Sequence, residues 1–324
     1  MPITKEAWHV QPDFVQTILT WASALLLYPG LLFAVALALV GEWTFGIFLP
    51  LVTSRTYRSR AHRHAPLQPL YTFLKLSGRR GPAHWSPDDT AQRRPATASS
   101  LLSSAGAIAP ILALALLPLP GSPLSRDGGP HADLLTILLL LAAGPLCKAA
   151  SRLLAEDLTS LKGARGIGEL ITGLLPSILA IAALVEVSDT HTLTVASLTA
   201  PPETAGQTIV RLLVGVVLLA ALPWWLDWCG ANNVADNAPS YAARLLQTSA
   251  ISVLWALLIL PAPGDRSWAI ALTILGALFA YLVMRAVPYF WVPIRREKDA
   301  ASLLWATATP IALLALVVAL WTGA

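Results

Sequence analysis

Five carboxylates stand in or beside long apolar stretches: Glu42, Glu169, Asp157, Asp227 and Asp236. A charged side chain inside a bilayer costs at least ~2.5–3.5 kcal/mol on insertion scales, so each invites a role in moving protons. Glu42 follows Val40-Gly41 in a long apolar run, and Glu169 follows Gly168 close to the start of another. Either can relay protons inward from a surface; in the alternative reading both lie near enough to an interface to be solvated. Asp157, with Glu156, faces Lys162 and Arg165 across a few residues and reads equally as a solvated ion-pair cluster. Asp227 and Asp236 bracket Trp228, Asn232, Asn233 and Asn237. These residues read either as the lining of a polar funnel or as ordinary turn and helix-cap chemistry.

Other chemistries find no support. The six histidines show no metal-ligand spacing, and His62 and His64, two apart, would point to different faces of a helix. Two cysteines, Cys147 and Cys229, cannot build a disulfide framework, a four-cysteine zinc site or an iron–sulfur cluster. No Gly-x-Ser-x-Gly elbow or Walker-type phosphate loop occurs. The sequence therefore predicts no metal, no cofactor of its own and no catalytic centre.

The elements that must hold these carboxylates are helices in a membrane. The chain is 56% hydrophobic and 12% charged, with a mean hydropathy of +0.64, far from a soluble domain. Apolar runs recur at about the 20 residues that a helix needs to cross ~30 Å of hydrocarbon. None alternates with period two, which favours an all-α polytopic bundle over a barrel. Spans are expected at Leu19–Leu49, with tilt or a kink at Pro29-Gly30, and at Leu101–Leu119, Leu134–Leu153, Ile167–Val187 and Ile209–Leu226. Three more follow at Tyr241–Leu260, Ala269–Val287 and Ser302–Trp321, making about eight in a single membrane domain over 1–324. Met1–Gln16 lacks the short apolar core and cleavage site of a signal peptide and is read as retained. Of twelve tryptophans, Trp224, Trp225, Trp291 and Trp321 fall at expected span ends as interfacial anchors.

Basic residues cluster between alternate spans. Arg55, Arg58, Arg60, Arg63, Lys75, Arg79, Arg80, Arg93 and Arg94 follow the first span, Lys148, Arg152, Lys162 and Arg165 surround the end of the third, and Arg295, Arg296 and Lys298 follow the seventh, whereas 186–207 has none. Under the positive-inside rule both termini lie outside the cytoplasm. The weak connection is 227–240, which has no Lys or Arg although it should be cytoplasmic; Arg244 lies just beyond it. Arg211 and Arg244, near span starts, are expected to snorkel. The net charge of +4 belongs to these loops and, without a zinc-finger or aromatic RNA-binding pattern, implies no nucleic-acid partner.

The longest basic segment, 53–98, is expected to be a cytoplasmic loop containing an amphipathic helix from about Pro69 to Leu76, with Gln68, Tyr71 and Lys75. It reads Arg63-His64-Ala65-Pro66-Leu67-Gln68-Pro69-Leu70-Tyr71-Thr72-Phe73-Leu74-Lys75-Leu76 and is preceded by Tyr28-Pro29-Gly30-Leu31-Leu32-Phe33-Ala34. Together these resemble the signature of the family of heel-like membrane subunits found in complex I and in its energy-converting hydrogenase and formate hydrogenlyase relatives. The resemblance implies a non-catalytic membrane subunit of the bacterial cytoplasmic (inner) membrane. In that role Arg55, Arg58, Arg60, Arg63, Gln68, Pro69, Tyr71 and Lys75 dock hydrogenase-like and iron–sulfur cytoplasmic subunits, whose clusters supply the redox centres, onto antiporter-like membrane subunits. A quinone between the first span and the amphipathic segment is also compatible with it. The match covers residues 28–76, and the chain departs from the family pattern both within that stretch and beyond it. His64-Ala65 replaces Gly-Pro, Thr72 replaces an Asp, and Arg165-Gly166 and Leu175-Pro176 stand where the family carries an Arg-Glu pair and a Glu-Pro. Coupling carboxylates are thus missing, which implies an adaptor with a weakened or rerouted proton path. The competing class is a self-contained transporter or channel, marked by polar residues on broken helices at the midplane.

Overall fold

A computed structural model describes residues 12–52, 68–78, 93–120, 122, 133–155, 161–188, 191–225, 238–260, 267–291 and 297–322. They form helices α1 (Pro12–Leu26), α2 (Leu31–Val52), α3 (Gln68–Gly78), α4 (Arg93–Leu116), α5 (Leu134–Ala155) and α6 (Leu161–Val187). A single turn, α7 (Val195–Leu198), is followed by α8 (Ala205–Trp225), α9 (Ala238–Ile259), α10 (Ser267–Trp291) and α11 (Glu297–Thr322). No strand occurs among the described residues; one isolated bridge joins Asp133 to Thr194. The protein is an all-helical, multi-pass membrane bundle. Among the described residues five stretches are long and apolar enough to cross a bilayer: Gln16–Phe48, Ala205–Leu222, Tyr241–Ile259, Trp268–Val287 and Leu304–Thr322. The other three expected spans fall on α4, α5 and α6, whose apolar parts Ser104–Leu116, Leu134–Cys147 and Gly173–Val187 are shorter.

The first expected span, read as one long helix with tilt or a kink, is instead divided at Pro29-Gly30 into two helices, α1 and α2. Proline ends a helical ladder, and a Cβ on Gly30 would collide with the Leu25 carbonyl, so only glycine fits this return of the chain. The break is fixed to the bundle because the Tyr28 hydroxyl donates to the Pro120 carbonyl at 3.0 Å and its ring meets Phe33 edge-on.

α9 is the hub. It packs against α2, α3, α4, α5, α8 and α10, and 78% of its span is buried, against 28% for Leu304–Thr322. A helix so enclosed can carry polar side chains only if each finds a partner. Gln247, Thr248, Ser249 and Ser252 are all buried, and the partners are found. Ser249 Oγ donates to the Ala34 carbonyl of α2 at 3.1 Å, and Trp255 Nε1 to the Gly215 carbonyl of α8 at 2.9 Å. Gln247 Nε2 donates to the Leu141 carbonyl of α5 at 2.6 Å. That last bond has a local cause. Pro145 lies inside α5, and proline has no N–H for the carbonyl four residues earlier, which is Leu141. Gln247 supplies the missing donor from a neighbouring helix.

A second layer is formed by α6, α8 and α11, which pack on one another. Its outward faces, such as Ile209, Leu212 and Val216 on α8 and Leu313, Leu314 and Val317 on α11, are exposed apolar surface suited to lipid.

Candidate functional site

The site grows from Gly41-Glu42 on α2. A Cβ on Gly41 would come within 2.5 Å of the Tyr281 ring, so glycine here lets α10 approach α2 closely. That approach places Tyr281 and Arg285, one helical turn apart on α10, against Glu42. The Tyr281 hydroxyl donates to Glu42 Oε1 at 3.0 Å, while Arg285 Nε and Nη2 donate to Oε1 and Oε2, the latter at 2.8 Å. The pair is bidentate, the geometry in which guanidinium and carboxylate bind most strongly. The Arg285 guanidinium also sits 5.0 Å from the centre of the Phe45 ring, one turn along α2. Only 12% of the Glu42 side chain and 16% of that of Arg285 are exposed.

Glu42 is therefore not a solvated interfacial carboxylate. It is a fixed anion with a guanidinium, a phenol and, on the next turn, an aromatic ring around it. Such a site keeps charge neutral inside the bundle and holds α2 to α10. Moving a proton through Glu42 would first require breaking two charge-assisted bonds.

α3 lies over this cluster and contacts α2 and α9. Its sequence places Pro69, Thr72, Phe73 and Leu76 on one face, and these are the buried and half-buried residues, whereas Leu70, Tyr71, Leu74 and Lys75 point outward. The inner face turns toward α2 and α9, the helices that α3 contacts, and Tyr241 near the start of α9 is half-buried. The outer face leaves Leu70, Tyr71 and Leu74 between 45% and 66% exposed.

The expected site residues divide accordingly. Glu42 lies in the cluster, and Pro69, Tyr71 and Lys75 lie on α3 above it, with Gln68 the first residue of that helix. Glu169 is inside α6, which begins at Leu161 and so reaches well before the expected span start at Ile167; its side chain lies outside the described set. Arg55, Arg58, Arg60, Arg63, Asp157, Asp227 and Asp236 also lie outside the described residues. No group of three His, Cys, Asp or Glu fit for a metal is formed among the described residues. Arg211, expected to snorkel, is buried against the protein. Its side chain is 8% exposed and reaches back to donate to the Ala200 carbonyl in the connection before α8, so the guanidinium is held by protein at that end of the span.

Arg285 and Tyr281 escaped the sequence reading. The available signal was an arginine near the end of the apolar run Ala269–Val287, four residues after a tyrosine, since an intramembrane cation implies a nearby anion.

No family model and no curated protein matches the chain. Among solved structures it is similar to a chain of the membrane-bound sulfane sulfur reductase, an archaeal respiratory membrane complex. The two share 18% sequence identity and a TM-score of 0.66 over 93% of this chain and 99% of that one. The two share a fold over the matched region.

Proposed function

We propose that this protein is a non-catalytic membrane subunit of a complex I-like or energy-converting hydrogenase-like respiratory complex. It docks a cytoplasmic redox module to an ion-translocating membrane arm. The observation that carries this reading is the near-complete coverage, in both directions, of a chain from a respiratory membrane complex. A shared bundle alone does not fix function. Here it coincides with the Leu67-Gln68-Pro69 to Lys75-Leu76 motif and with a basic segment around α3, whose charge suits an acidic partner face.

In this reading α3 and Arg55, Arg58, Arg60 and Arg63 face the cytoplasm, both termini lie on the other side, and the membrane is the bacterial inner membrane. Iron–sulfur clusters and any quinone chemistry belong to partner subunits or to the boundary with them. The paired state of Glu42 supports the adaptor form, in which this chain carries load between modules and conducts few protons itself. A photo-crosslinking residue in place of Tyr71, irradiated in native membranes, tests it. Adducts to a hydrogenase-like or iron–sulfur subunit are expected; adducts to lipid alone would refute docking at α3.

A further inference from the structure

Beyond the Glu42–Arg285 pair, a line of buried polar groups runs along α9 toward a cation whose charge is unbalanced. Gln247, Thr248, Ser249 and Ser252 follow one another on this hub helix, each buried, and Trp255 carries the line to the Gly215 carbonyl of α8. Arg211 stands four residues before Gly215, about one helical turn away. Its Nη2 donates to the Ala200 carbonyl, whereas its Nη1 is buried with no acceptor among the described residues. We propose that Arg211 is an electrostatic seal: its unbalanced charge repels protons and metal cations from the polar line along α9 and keeps this chain from leaking them across the membrane.

The two ends of this line differ in charge. At one, Glu42 and Arg285 neutralise each other. At the other, the Arg211 side chain is 8% exposed, and none of the described carboxylates pairs with it. A guanidinium does not lose its proton in a protein, so the charge is permanent. Because the side chain reaches back to Ala200, the guanidinium lies by the start of α8, whose positive dipole end adds to its field. Between the ends, Gln247 to Trp255 covers about 12 Å of helix. The hydroxyls of Thr248, Ser249 and Ser252 donate to backbone carbonyls there and keep lone pairs that can accept from water. Fixed positive charge in a pore excludes protons and cations electrostatically. At an effective dielectric constant of about 20, a unit charge about 10 Å away lowers the local population of a monovalent cation roughly tenfold. A paired arginine would lose most of that effect, and Arg211 keeps it.

The seal needs no partner, so the full chain is tested alone, in liposomes that enclose a pH-sensitive dye, with a potassium–valinomycin potential driving protons inward. Wild-type protein is expected to add nothing to the leak of protein-free vesicles. Arg211→Met should raise proton entry by about tenfold while enclosed calcein is retained, and Arg211→Lys, which keeps the charge, should stay within about twofold of wild type. Ser252→Val, which sets an apolar side chain in the line, should close the leak of Arg211→Met. No rise in Arg211→Met overturns the proposal, as does an equal rise in Arg211→Lys, a leak that also releases calcein, or one that Ser252→Val leaves open. Should Arg211→Met fail to fold, Gln207→Glu sets a carboxylate one turn from Arg211 and offsets its charge without removing it. The same rise is expected there, and an unchanged rate overturns the proposal. Failure of the seal would leave docking standing, and failure to find a partner would leave the seal standing.

Discussion

Removing either charge of the Glu42–Arg285 pair should be among the most damaging single changes to this bundle. Breaking a buried ion pair costs about 3–5 kcal/mol, because the surviving charge stays desolvated without a counter-charge. Here 12% and 16% of the two side chains remain exposed, which moves the expectation to the lower end, about 3 kcal/mol, or roughly 100-fold in the unfolding constant. Glu42→Gln retains a polar group for Tyr281 and a side chain of the same shape, so the loss reports charge and not volume. The double variant Glu42→Gln with Arg285→Met removes both charges and should recover most of the stability. Purified protein in mixed micelles, titrated with a denaturing detergent and followed by tryptophan fluorescence, provides the readout. Because the pair is enclosed, the cost should hardly change between low and high salt. The reasoning fails if Glu42→Gln lies within about 0.5 kcal/mol of wild type, the range of ordinary surface substitutions. It also fails if the double variant is as unstable as Arg285→Met alone.

Three further outcomes follow from the packing. Gly41→Ala places a Cβ within 2.5 Å of the Tyr281 ring and should cost about 1–3 kcal/mol as overpacking; thermal unfolding checks it, with Val35→Ala on the exposed side of the same helix as reference. Gln247→Leu strands the Leu141 carbonyl behind Pro145 and should cost about 1–3 kcal/mol, most of which Pro145→Ala restores by returning the backbone donor; a stability cycle on the two positions measures this. Tyr71→Asp on the exposed face of α3 should leave the isolated chain's stability within about 0.5 kcal/mol yet sharply lower its recovery with partners, as quantified by co-purification.

The sequence carried the architecture because lipid imposes simple demands. Length and hydropathy marked the long apolar helices, whereas the first of them, expected as one span with tilt or a kink at Pro29-Gly30, is divided there into α1 and α2. The apolar residues Pro69, Leu70, Tyr71, Phe73, Leu74 and Leu76 among basic ones placed α3 within two residues of its observed bounds, although not which of them face inward. What sequence order hides is pairing across the bundle. Glu42 and Arg285 are 243 positions apart, and no local pattern connects them; Glu42 in isolation reads as a proton carrier or a solvated residue, and only the approach of α10 over Gly41 makes it a fixed anion. Gln247 is similar. Its role depends on a proline in another helix, and the two are related only once α9 is seen to pack against α5. Arg211 was expected to snorkel because it stands near a helix start; its partner, the Ala200 carbonyl before that start, could not be read from the sequence.

Membership of a larger respiratory assembly is the central claim for this chain. Isolating it gently from native membranes and weighing the intact particle by native mass spectrometry tests that most directly. The expected particle contains the chain together with hydrogenase-like and iron–sulfur subunits and with antiporter-like membrane subunits. A particle composed of this chain and lipid alone, able to move a solute across liposomes unaided, would contradict it.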